Sequence, residues 1–414
     1  MELKGKYTNA VIHALTIEDS CLNQIQSMIN SPAFNKQVVI MPDTHAGSGS
    51  VVGFTMPVGL NLIPNTIGVD IGCGIYAYKV KGLTTDNWED IDKKIRSVIP
   101  LGFNHRTDAT ETIEWVENKM GCQGRLRGLI NKLGLTEQKV INQLRTLGGG
   151  NHFIEFAKST KDDSYWLLIH TGSRNVGKTT CEYHQKRAID YVNNIRKQMM
   201  SIVAIVDEND RQSFKENIKS HDIFKVPNEQ CWLEGLQKDE YLQDMFIAQK
   251  FAHLNKRMIK DKICEVLHLE VEESIESVHN YIDPKDNIIR KGAIRAYKDE
   301  KVVIPFNMRD GSILATGKGS PGWNFSAPHG AGRIMSRGVA QKTLQLNDFK
   351  ETMKNVWSSS VNSATLDESP FAYKPKSEIE EAIKDCVDVY DYLKPVYNLK
   401  ESNFTGKYEK LRNK

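Results

Sequence analysis

Five short glycine-containing segments of this 414-residue chain carry side chains that could bind a metal ion or act as a nucleophile. They are MPDTHAG at 41–47, GVDIGCG at 68–74, LGGGNHFIE at 147–155, LIHTGSR at 168–174 and SAPHGAGR at 326–333. Glycine lets a backbone approach a ligand closely and adopt positive φ, so each segment has the composition of a binding loop. We expect these loops to meet at one site.

The GVDIGCG segment places Asp70 and Cys73 three residues apart in a turn, so that a carboxylate and a thiolate can face one ion. An isolated pair of this kind is more often a turn-capping aspartate and a buried free cysteine. Three histidines at the edges of strand-like runs change this balance: His152, His170 and His279. Five donors would fill two metal sites if the Cys73 thiolate bridged them. Ligand softness alone would favour zinc over manganese.

His329 differs from the other histidines because it lies in PHGAGR, where small residues open space and backbone N–H groups can hold a phosphate. A neutral imidazole nitrogen can attack phosphorus, and nearby metal ions would assist that attack. Nucleophile, metal ligand and structural histidine all remain open from the residues alone.

A competing pattern begins at Gly172, where GSRNVGKT matches the phosphate-loop consensus GxxxxGK[ST] after the strand-like YWLLIH. Residues 202–208, IVAIVDE, resemble the apolar strand with terminal acidic residues that holds magnesium in such proteins. This pattern predicts a nucleotide hydrolase centred on Lys178. We disfavour it because the following region lacks alternating strands and helices and the other glycine loops stay unexplained.

Composition indicates a globular protein, with 40% hydrophobic residues and a formal charge of +3. A charge this small does not by itself indicate nucleic-acid binding, so any RNA-binding surface must be local. The seven cysteines include no CxxC pair, which favours reduced thiols over disulfides or a zinc ribbon. The sequence shows neither an apolar run long enough for a membrane span nor a signal peptide at its start, so we expect a cytoplasmic protein without membrane contact.

The pattern of apolar residues predicts an α+β fold in one domain over 1–414, with strands and glycine-rich loops around a central cleft and helices packed outside. Residues 1–80 and 287–345 have the character of strands and turns, and 182–270 that of a mainly helical segment. An apolar stripe from Met245 to Ile263 predicts core packing. Residues 376–393 predict an amphipathic helix, and 401–414 form a polar C-terminal extension.

Taken together, these motifs resemble the RtcB family of RNA-splicing and RNA-repair ligases. The segments that carry the resemblance run in order along nearly the whole chain: MPDTH, GVDIGCG, LGGGNHFIE, IHTGSR, HNY, RKGA, SAPHGAGRIMSR and the closing AYK to LK. The resemblance implies a GTP-dependent ligase that joins an RNA 2′,3′-cyclic phosphate or 3′-phosphate to a 5′-hydroxyl through a guanylyl-histidine, in tRNA splicing or RNA repair. It implies a monomer whose partners are cleaved tRNA or other RNA, GTP and, as a further candidate, an accessory activator protein.

The resemblance also assigns residues. It implies GTP and two Mn²⁺ ions per chain, the metals being held by Asp70, Cys73, His152, His170 and His279, with Cys73 as the bridging thiolate. It implies that His329 is guanylylated, that Arg174 binds phosphate and that Asp43 positions the attacking 5′-hydroxyl. It places the nucleotide against Asn151, His152, Phe153, Ile154, Glu155, His279, Asn280, Pro305, Asn307, Met308, Ser312, His329, Gly330, Ala331, Gly332, Tyr373 and Lys400.

The sequence departs from the family between Pro305 and Ser312, where it reads PFNMRDGS instead of a PGSMG-like run. This difference predicts altered contacts to the triphosphate from Phe306, Asn307 and Arg309. A further alternative is therefore a catalytically weakened RNA-binding relative that keeps the metals.

Overall fold

The computed structural model describes residues 1–402 as an α+β fold in which sheets carry the glycine-rich loops. The strands are β1 (Glu2–Lys4), β2 (Asn9–Ile12), β3 (Val38–His45), β4 (Val52–Pro57), β5 (Gly74–Lys81), β6 (Phe153–Ser159), β7 (Tyr165–Thr171), β8 (Glu270–Val278), β9 (Asn280–Ile282), β10 (Ile288–Lys291), β11 (Ala293–Arg295), β12 (Lys301–Asn307), β13 (Gly311–Gly317), β14 (Ser326–Pro328) and β15 (Val387–Leu399). The helices are α1 (Asp19–Ile29), α2 (Trp88–Val98), α3 (Ile113–Met120), α4 (Arg125–Lys132), α5 (Glu137–Gln143), α6 (Arg174–Ile202), α7 (Arg211–Ser220), α8 (Gly235–Leu267), α9 (Arg337–Thr343), α10 (Leu346–Thr352) and α11 (Lys376–Ala382).

A seven-stranded sheet, in the order β12-β13-β15-β6-β7-β5-β8, brings the predicted metal ligands to one edge. Neighbouring strands are antiparallel, so the start of β5 and the start of β6 lie beside the end of β7, and the end of β8 lies beside the start of β5. Cys73 and His152 immediately precede β5 and β6, while His170 lies near the end of β7 and His279 follows β8. Ligands that are far apart in sequence therefore meet.

A second sheet, in the order β1-β2-β3-β4-β10-β9, carries Asp43 on β3. A two-stranded sheet pairs β11 with β14, and Ala293 lies opposite Pro328, so His329 leaves this sheet directly after β14. The positions on β3 from Val38 to Thr44 are all buried, as expected for a strand covered on both faces. Asp43 is consequently a buried carboxylate.

The long helices α6 and α8 account for most of the segment 182–270, as predicted. The apolar stripe of α8 is core, because Met245, Phe251 and Ile263 are fully buried. The assignment of residues 1–414 to one domain stays a prediction. Within residues 1–402, none of the helices combines the length and apolar character of a membrane span.

The prediction of a helix over 376–393 was wrong in its second half. Helix α11 ends at Ala382, and β15 begins at Val387 and pairs with both β13 and β6. The sequence VDVYDYLKPVYNL is rich in β-branched and aromatic residues, which favour a strand held between two neighbours. The predicted C-terminal extension lies, from residue 403 onward, outside the described residues.

The phosphate-loop interpretation is contradicted by the structure. Lys178 lies inside α6, which begins at Arg174, so a helix replaces the loop that would wrap a phosphate. Its ammonium group is exposed and faces Glu182 at 3.7 Å. Helix α6 ends at Ile202, a short 3₁₀ turn covers Val203–Ile205, and residues 206–208 are irregular, so 202–208 does not form a strand. The preceding strand β7 also belongs to an antiparallel sheet, whereas phosphate-loop folds require a parallel one.

Candidate metal centre and nucleotide pocket

The five predicted metal ligands form a continuous chain of donor atoms with Cys73 in the middle. Cys73 Sγ lies 3.5 Å from His152 Nε2 and 3.3 Å from His170 Nε2. Asp70 Oδ2 lies 2.9 Å from His152 Nε2, and His279 Nε2 lies 3.4 Å from His170 Nε2. Tetrahedral bonds of about 2.0–2.3 Å separate ligand atoms by about 3.3–3.8 Å, so most of these spacings suit a bound ion without rearrangement.

Backbone carbonyl groups hold two of the imidazole rings in the orientation that metal binding requires. His152 Nδ1 lies 2.9 Å from the carbonyl of Leu147, and His170 Nδ1 lies 3.1 Å from that of Asn151. A neutral imidazole that donates from Nδ1 keeps its lone pair on Nε2, which is the atom facing Cys73 in both cases. His279 is held through its backbone N–H, which donates to the carbonyl of Cys73 at 2.9 Å.

Burial sets the protonation of this cluster. It lowers the pKa values of His170 and His279, and neighbouring imidazoles lower them further, so both rings are neutral at pH 7. Burial would raise the pKa of Asp70, but its contact with the His152 imidazole and nearby positive charge hold it below its usual value. Burial and the charge of Asp70 raise the pKa of the Cys73 thiol. A bound divalent cation would reverse that last effect by stabilising the thiolate.

His329 lies at the open side of this cluster, with its ring centroid 4.7 Å from that of His279. Its Nδ1 lies 2.6 Å from Asp43 Oδ2, and its backbone N–H donates to the same oxygen at 3.2 Å. Gly332 is required here, because its φ is +74° and a Cβ atom would overlap the backbone carbonyl of Asp43. The structure thus places Asp43 against the candidate nucleophile itself.

A cavity opens beside His329 and is lined by most of the predicted nucleotide-binding residues. Those that line it are Asn151, Phe153, Glu155, Pro305, Asn307, Met308, Ser312, His329, Gly330, Ala331, Gly332, Tyr373 and Lys400. Three polar atoms on its wall are buried without a hydrogen-bond partner in residues 1–402, namely Glu155 Oε1, Ser312 Oγ and Asn398 Oδ1. Buried polar atoms are rarely left unpaired, so these three indicate that a polar ligand belongs in the cavity.

One oxygen of the Glu155 carboxyl group is available to form a hydrogen bond with a ligand. Its Oε2 accepts a hydrogen bond from Asn398 Nδ2 at 2.7 Å, which leaves Oε1 free. Burial raises the pKa of Glu155 to about 8, although Asn398 and the nearby Lys400 oppose the shift. The carboxyl group is therefore mainly protonated at pH 7 until a ligand donates a hydrogen bond to it.

Several predicted contacts are not brought to the cavity wall. Ile154 is fully buried on the opposite face of β6, because side chains alternate along a strand. The Asn280 side chain forms hydrogen bonds to the backbone, because it donates to the carbonyl of Asp70 and accepts from Gly292 N–H. His152 and His279 belong to the metal-type cluster.

Arg174 donates to Thr146 Oγ1 at 3.2 Å and to the carbonyl of Gly102 at 3.0 Å, and its role in phosphate binding stays a prediction.

The divergent PFNMRDGS segment forms the turn between β12 and β13. Asn307 Oδ1 accepts from the backbone N–H groups of Arg309 and Asp310 at 3.0 and 2.9 Å, which closes the turn. The Arg309 guanidinium binds Asp310 and Thr352. Of the three residues expected to alter the nucleotide contacts, Phe306 and Asn307 line the cavity and Arg309 does not.

Sequence patterns gave no signal for a buried carboxylate at the far end of the cavity, Glu368. Its Oε2 accepts from Lys400 Nζ and from the Tyr373 hydroxyl, both at 2.9 Å. Its Oε1 lies 2.9 Å from Arg337 Nη1 and 3.4 Å from Arg333 Nη1. Burial opposes ionisation, but these cations hold the pKa of Glu368 at about 2. Two adjacent acidic residues such as those in LDESP usually lie on the solvated surface. Only the fold shows that Glu368 is buried and binds Lys400 and Tyr373.

Comparisons with known proteins identify the family. A family model described as "tRNA-splicing ligase RtcB" matches residues 24–401. The chain is 27% identical to "RNA-splicing ligase RtcB" of Escherichia coli, over 93% of this chain and 95% of that protein. It is 26% identical to "tRNA-splicing ligase RtcB" of Aeropyrum pernix, over 86% of each chain, and 25% identical to its namesake from Nanoarchaeum equitans, over 87% of each. Because the family model spans nearly all of the sequence, this chain belongs to the RtcB family.

Proposed function

We propose that this protein is an RNA ligase that uses GTP to join an RNA 2′,3′-cyclic phosphate or 3′-phosphate to a 5′-hydroxyl, in tRNA splicing or RNA repair. The observation that carries the proposal is the position of His329, which lies between a metal-type cluster and a cavity with unpaired polar groups. The names of the relatives, which are RNA-splicing ligases, support RNA ligation as the activity.

The donor set supports two divalent cations that share the Cys73 thiolate. Asp70 and His152 would complete one site, and His170 and His279 the other, since each pair adjoins Cys73 on a different side. Imidazole and thiolate donors do not select manganese, so the choice of Mn²⁺ rests on family membership. Bound ions would neutralise charge on the phosphates and favour in-line displacement at phosphorus.

Asp43 prepares His329 for attack. Because its buried carboxylate accepts a hydrogen bond from Nδ1, the N–H of the neutral ring lies on that side and the lone pair on Nε2. The additional hydrogen bond from the His329 backbone fixes the ring relative to the carboxylate. The carboxylate also stabilises the positive charge that develops on the imidazole when Nε2 forms a bond to phosphorus.

The cavity supports binding of the guanine nucleotide with its base against Glu155, Tyr373 and Lys400. Glu155 Oε1 can accept from an N–H group on the edge of the base, whereas the Lys400 ammonium can donate to a carbonyl oxygen. Guanine offers both groups, while adenine places an amino group where guanine has its carbonyl. The α-phosphate would then lie near His329 and the backbone of Gly330 to Gly332.

In the first step, His329 Nε2 attacks the α-phosphorus of GTP. A P–N bond forms, the bond from this phosphorus to the bridging oxygen breaks, and pyrophosphate leaves. In the second step, water opens a cyclic phosphate if one is present, and an oxygen of the RNA 3′-phosphate attacks the guanylyl phosphorus. The P–N bond breaks, His329 is released, and GMP is joined to the RNA end through a phosphoanhydride.

In the last step, the 5′-hydroxyl of the second RNA attacks the 3′-phosphate, and GMP leaves as the new phosphodiester forms. The hydroxyl proton must pass to a base, and Asp43 lies next to the released His329, which can accept it on Nε2. Asp43 therefore acts on the 5′-hydroxyl through His329. We propose that Arg174 binds a phosphate of the nucleotide or of the RNA.

Two features of the divergent segment favour a catalytically weakened relative that binds RNA and keeps the metals. The turn at 307–310 is closed by its own side chains, and Phe306 replaces a residue without a side chain in the family pattern. A narrower cavity at this point could bind GTP but slow the first step.

Incubating the protein with Mn²⁺ and GTP labelled on the α-phosphate, followed by denaturation, tests both possibilities. We expect an acid-labile label on the protein that His329→Ala abolishes. Lys178→Ala is the matched control, because Lys178 is a surface residue of α6, and it should retain the label. Label retained in His329→Ala would refute the proposal. Label without joining of a cyclic-phosphate RNA to a 5′-hydroxyl RNA would favour the weakened relative.

A further inference from the structure

Two adjacent polar residues of α8, Asn255 and Lys256, interrupt its apolar stripe. Both side chains have 0% exposure. A buried ammonium group is costly unless it is paired, yet Lys256 forms no salt bridge with a carboxylate among residues 1–402. A lysine retained under these conditions requires an explanation beyond packing.

The hydrogen bonds of Lys256 go to the backbone of the loops that carry metal-type ligands. Its Nζ donates to the carbonyl of Gly72 at 2.8 Å and to that of Thr171 at 3.1 Å. Gly72 precedes Cys73, and Thr171 follows His170. The ammonium also lies 4.8 Å from the centre of the Tyr76 ring, which adds a cation–π contact. Lys256 therefore joins the thiolate loop to the end of β7.

The loop at Gly72 is pressed directly against α8. Gly72 has φ of +72°, and a Cβ atom there would lie 2.9 Å from Ala252 Cβ and 3.0 Å from Gln249 Cα. Only glycine permits so close an approach in this conformation. The approach brings the Gly72 carbonyl within reach of the lysine one turn later on the helix.

Asn255 makes the corresponding contacts to the loop before His152. Its Oδ1 accepts from Thr146 N–H at 3.1 Å, and its Nδ2 donates to the carbonyls of Thr146 and Gly172 at 3.1 and 3.2 Å. The next residue, Leu147, supplies the carbonyl that orients the His152 ring. Asn255 thus connects Thr146, which lies before His152, to Gly172, which lies after His170.

We propose that Asn255 and Lys256 are positioning residues that hold the ligand loops in metal-binding geometry before an ion arrives. This role rests on the metal centre proposed above. In this proposal, the ligand atoms lie at spacings suited to an ion because two side chains of α8 form hydrogen bonds to the backbone of these loops. Removing a residue that orients a metal ligand by hydrogen bonding typically lowers metal affinity by about 10–100-fold.

The test compares Lys256→Met, which lacks a donor, with Lys256→Arg, which keeps donor and charge. Lys250→Met is the matched control, because Lys250 is an exposed residue of the same helix that donates to the carbonyl of Gly121. Mn²⁺ affinity is measured by competition with a chelator. The thiolate-to-cobalt charge-transfer absorption of Co²⁺-loaded protein reports whether Cys73 binds the metal.

We expect Lys256→Met to weaken Mn²⁺ binding by about 10–100-fold and to diminish or shift the cobalt absorption. Lys256→Arg should largely restore both, and Lys250→Met should match the unsubstituted protein. If Lys256→Met does not fold, Lys256→Gln, which keeps a shorter donor, should give an intermediate loss. A folded Lys256→Met or Lys256→Gln protein with unchanged Mn²⁺ affinity and absorption would overturn the positioning role.

Cys73→Ser, measured in parallel, separates the two levels of inference. Loss of the cobalt absorption in Cys73→Ser together with its retention in Lys256→Met overturns only the positioning role. Retention in Cys73→Ser overturns the metal centre itself.

Discussion

The affinity of the cavity for guanine should depend on pH through Glu155. In the free protein, burial raises the pKa of Glu155 to about 8. The carboxylate is the better acceptor for an N–H group of the base, so guanine binding favours loss of the proton. A raised pKa in the free protein means that the proton must be removed at neutral pH, and affinity should therefore rise with pH until the carboxyl group is ionised.

The magnitude follows from the ionised fraction. With a pKa of about 8, that fraction is about 0.09 at pH 7 and about 0.01 at pH 6, and the apparent Kd scales inversely with it. Affinity should increase about tenfold between pH 6 and pH 7 and about fivefold between pH 7 and pH 8. Above pH 8 the increase should level off.

Guanosine is the suitable probe, because it lacks phosphates that would titrate or contact the metals. Its Kd is measured by isothermal titration between pH 6 and pH 8.5. Glu155→Gln should remove the slope and bind about 10–100-fold more weakly at pH 8, as expected when a charge-assisted hydrogen bond is lost. Glu117→Gln is the matched control, since Glu117 is a buried glutamate that caps α4 far from the cavity lining and should leave the slope intact.

A Kd that is constant from pH 6 to pH 8 would refute this account of Glu155. The same conclusion would follow if Glu155→Gln kept the pH dependence of the unsubstituted protein, because another group would then be titrating.

Three further outcomes are expected. Asp43→Ala should slow guanylylation of His329 in single turnovers by about 10²–10⁴-fold, because the ring loses its orienting carboxylate; a matching loss of GTP affinity would contradict this role. Glu368→Gln should raise the KM for GTP by about tenfold or more by releasing Lys400 and Tyr373, and a change confined to the maximal rate would argue against it. Cys73→Ser should lower metal content and guanylylation together, and unchanged metal stoichiometry, measured by mass spectrometry, would exclude a bridging thiolate.

The order of motifs in the sequence was sufficient to identify the family and an α+β fold. Glycine-rich loops bearing Asp70, Cys73 and His329 have a composition that few other functions require, so the family could be read without any knowledge of the strand order. Local patterns were less reliable at the C-terminal end, where α11 stops at Ala382, because a sequence of alternating side chains does not show which strands will flank it.

The tertiary structure alone decided how these residues act on one another. Antiparallel pairing among strands β5, β6, β7 and β8 brings ligands from distant segments to one edge of the sheet. The spacing of residues along the sequence does not show which strands pair or in what register. Asp43 and His329 are 286 residues apart, yet their hydrogen bond determines which ring nitrogen carries the proton. The sequence alone does not show that Glu368 and Lys256 are buried, because the cost of burying a charge is offset only by partners that the fold supplies.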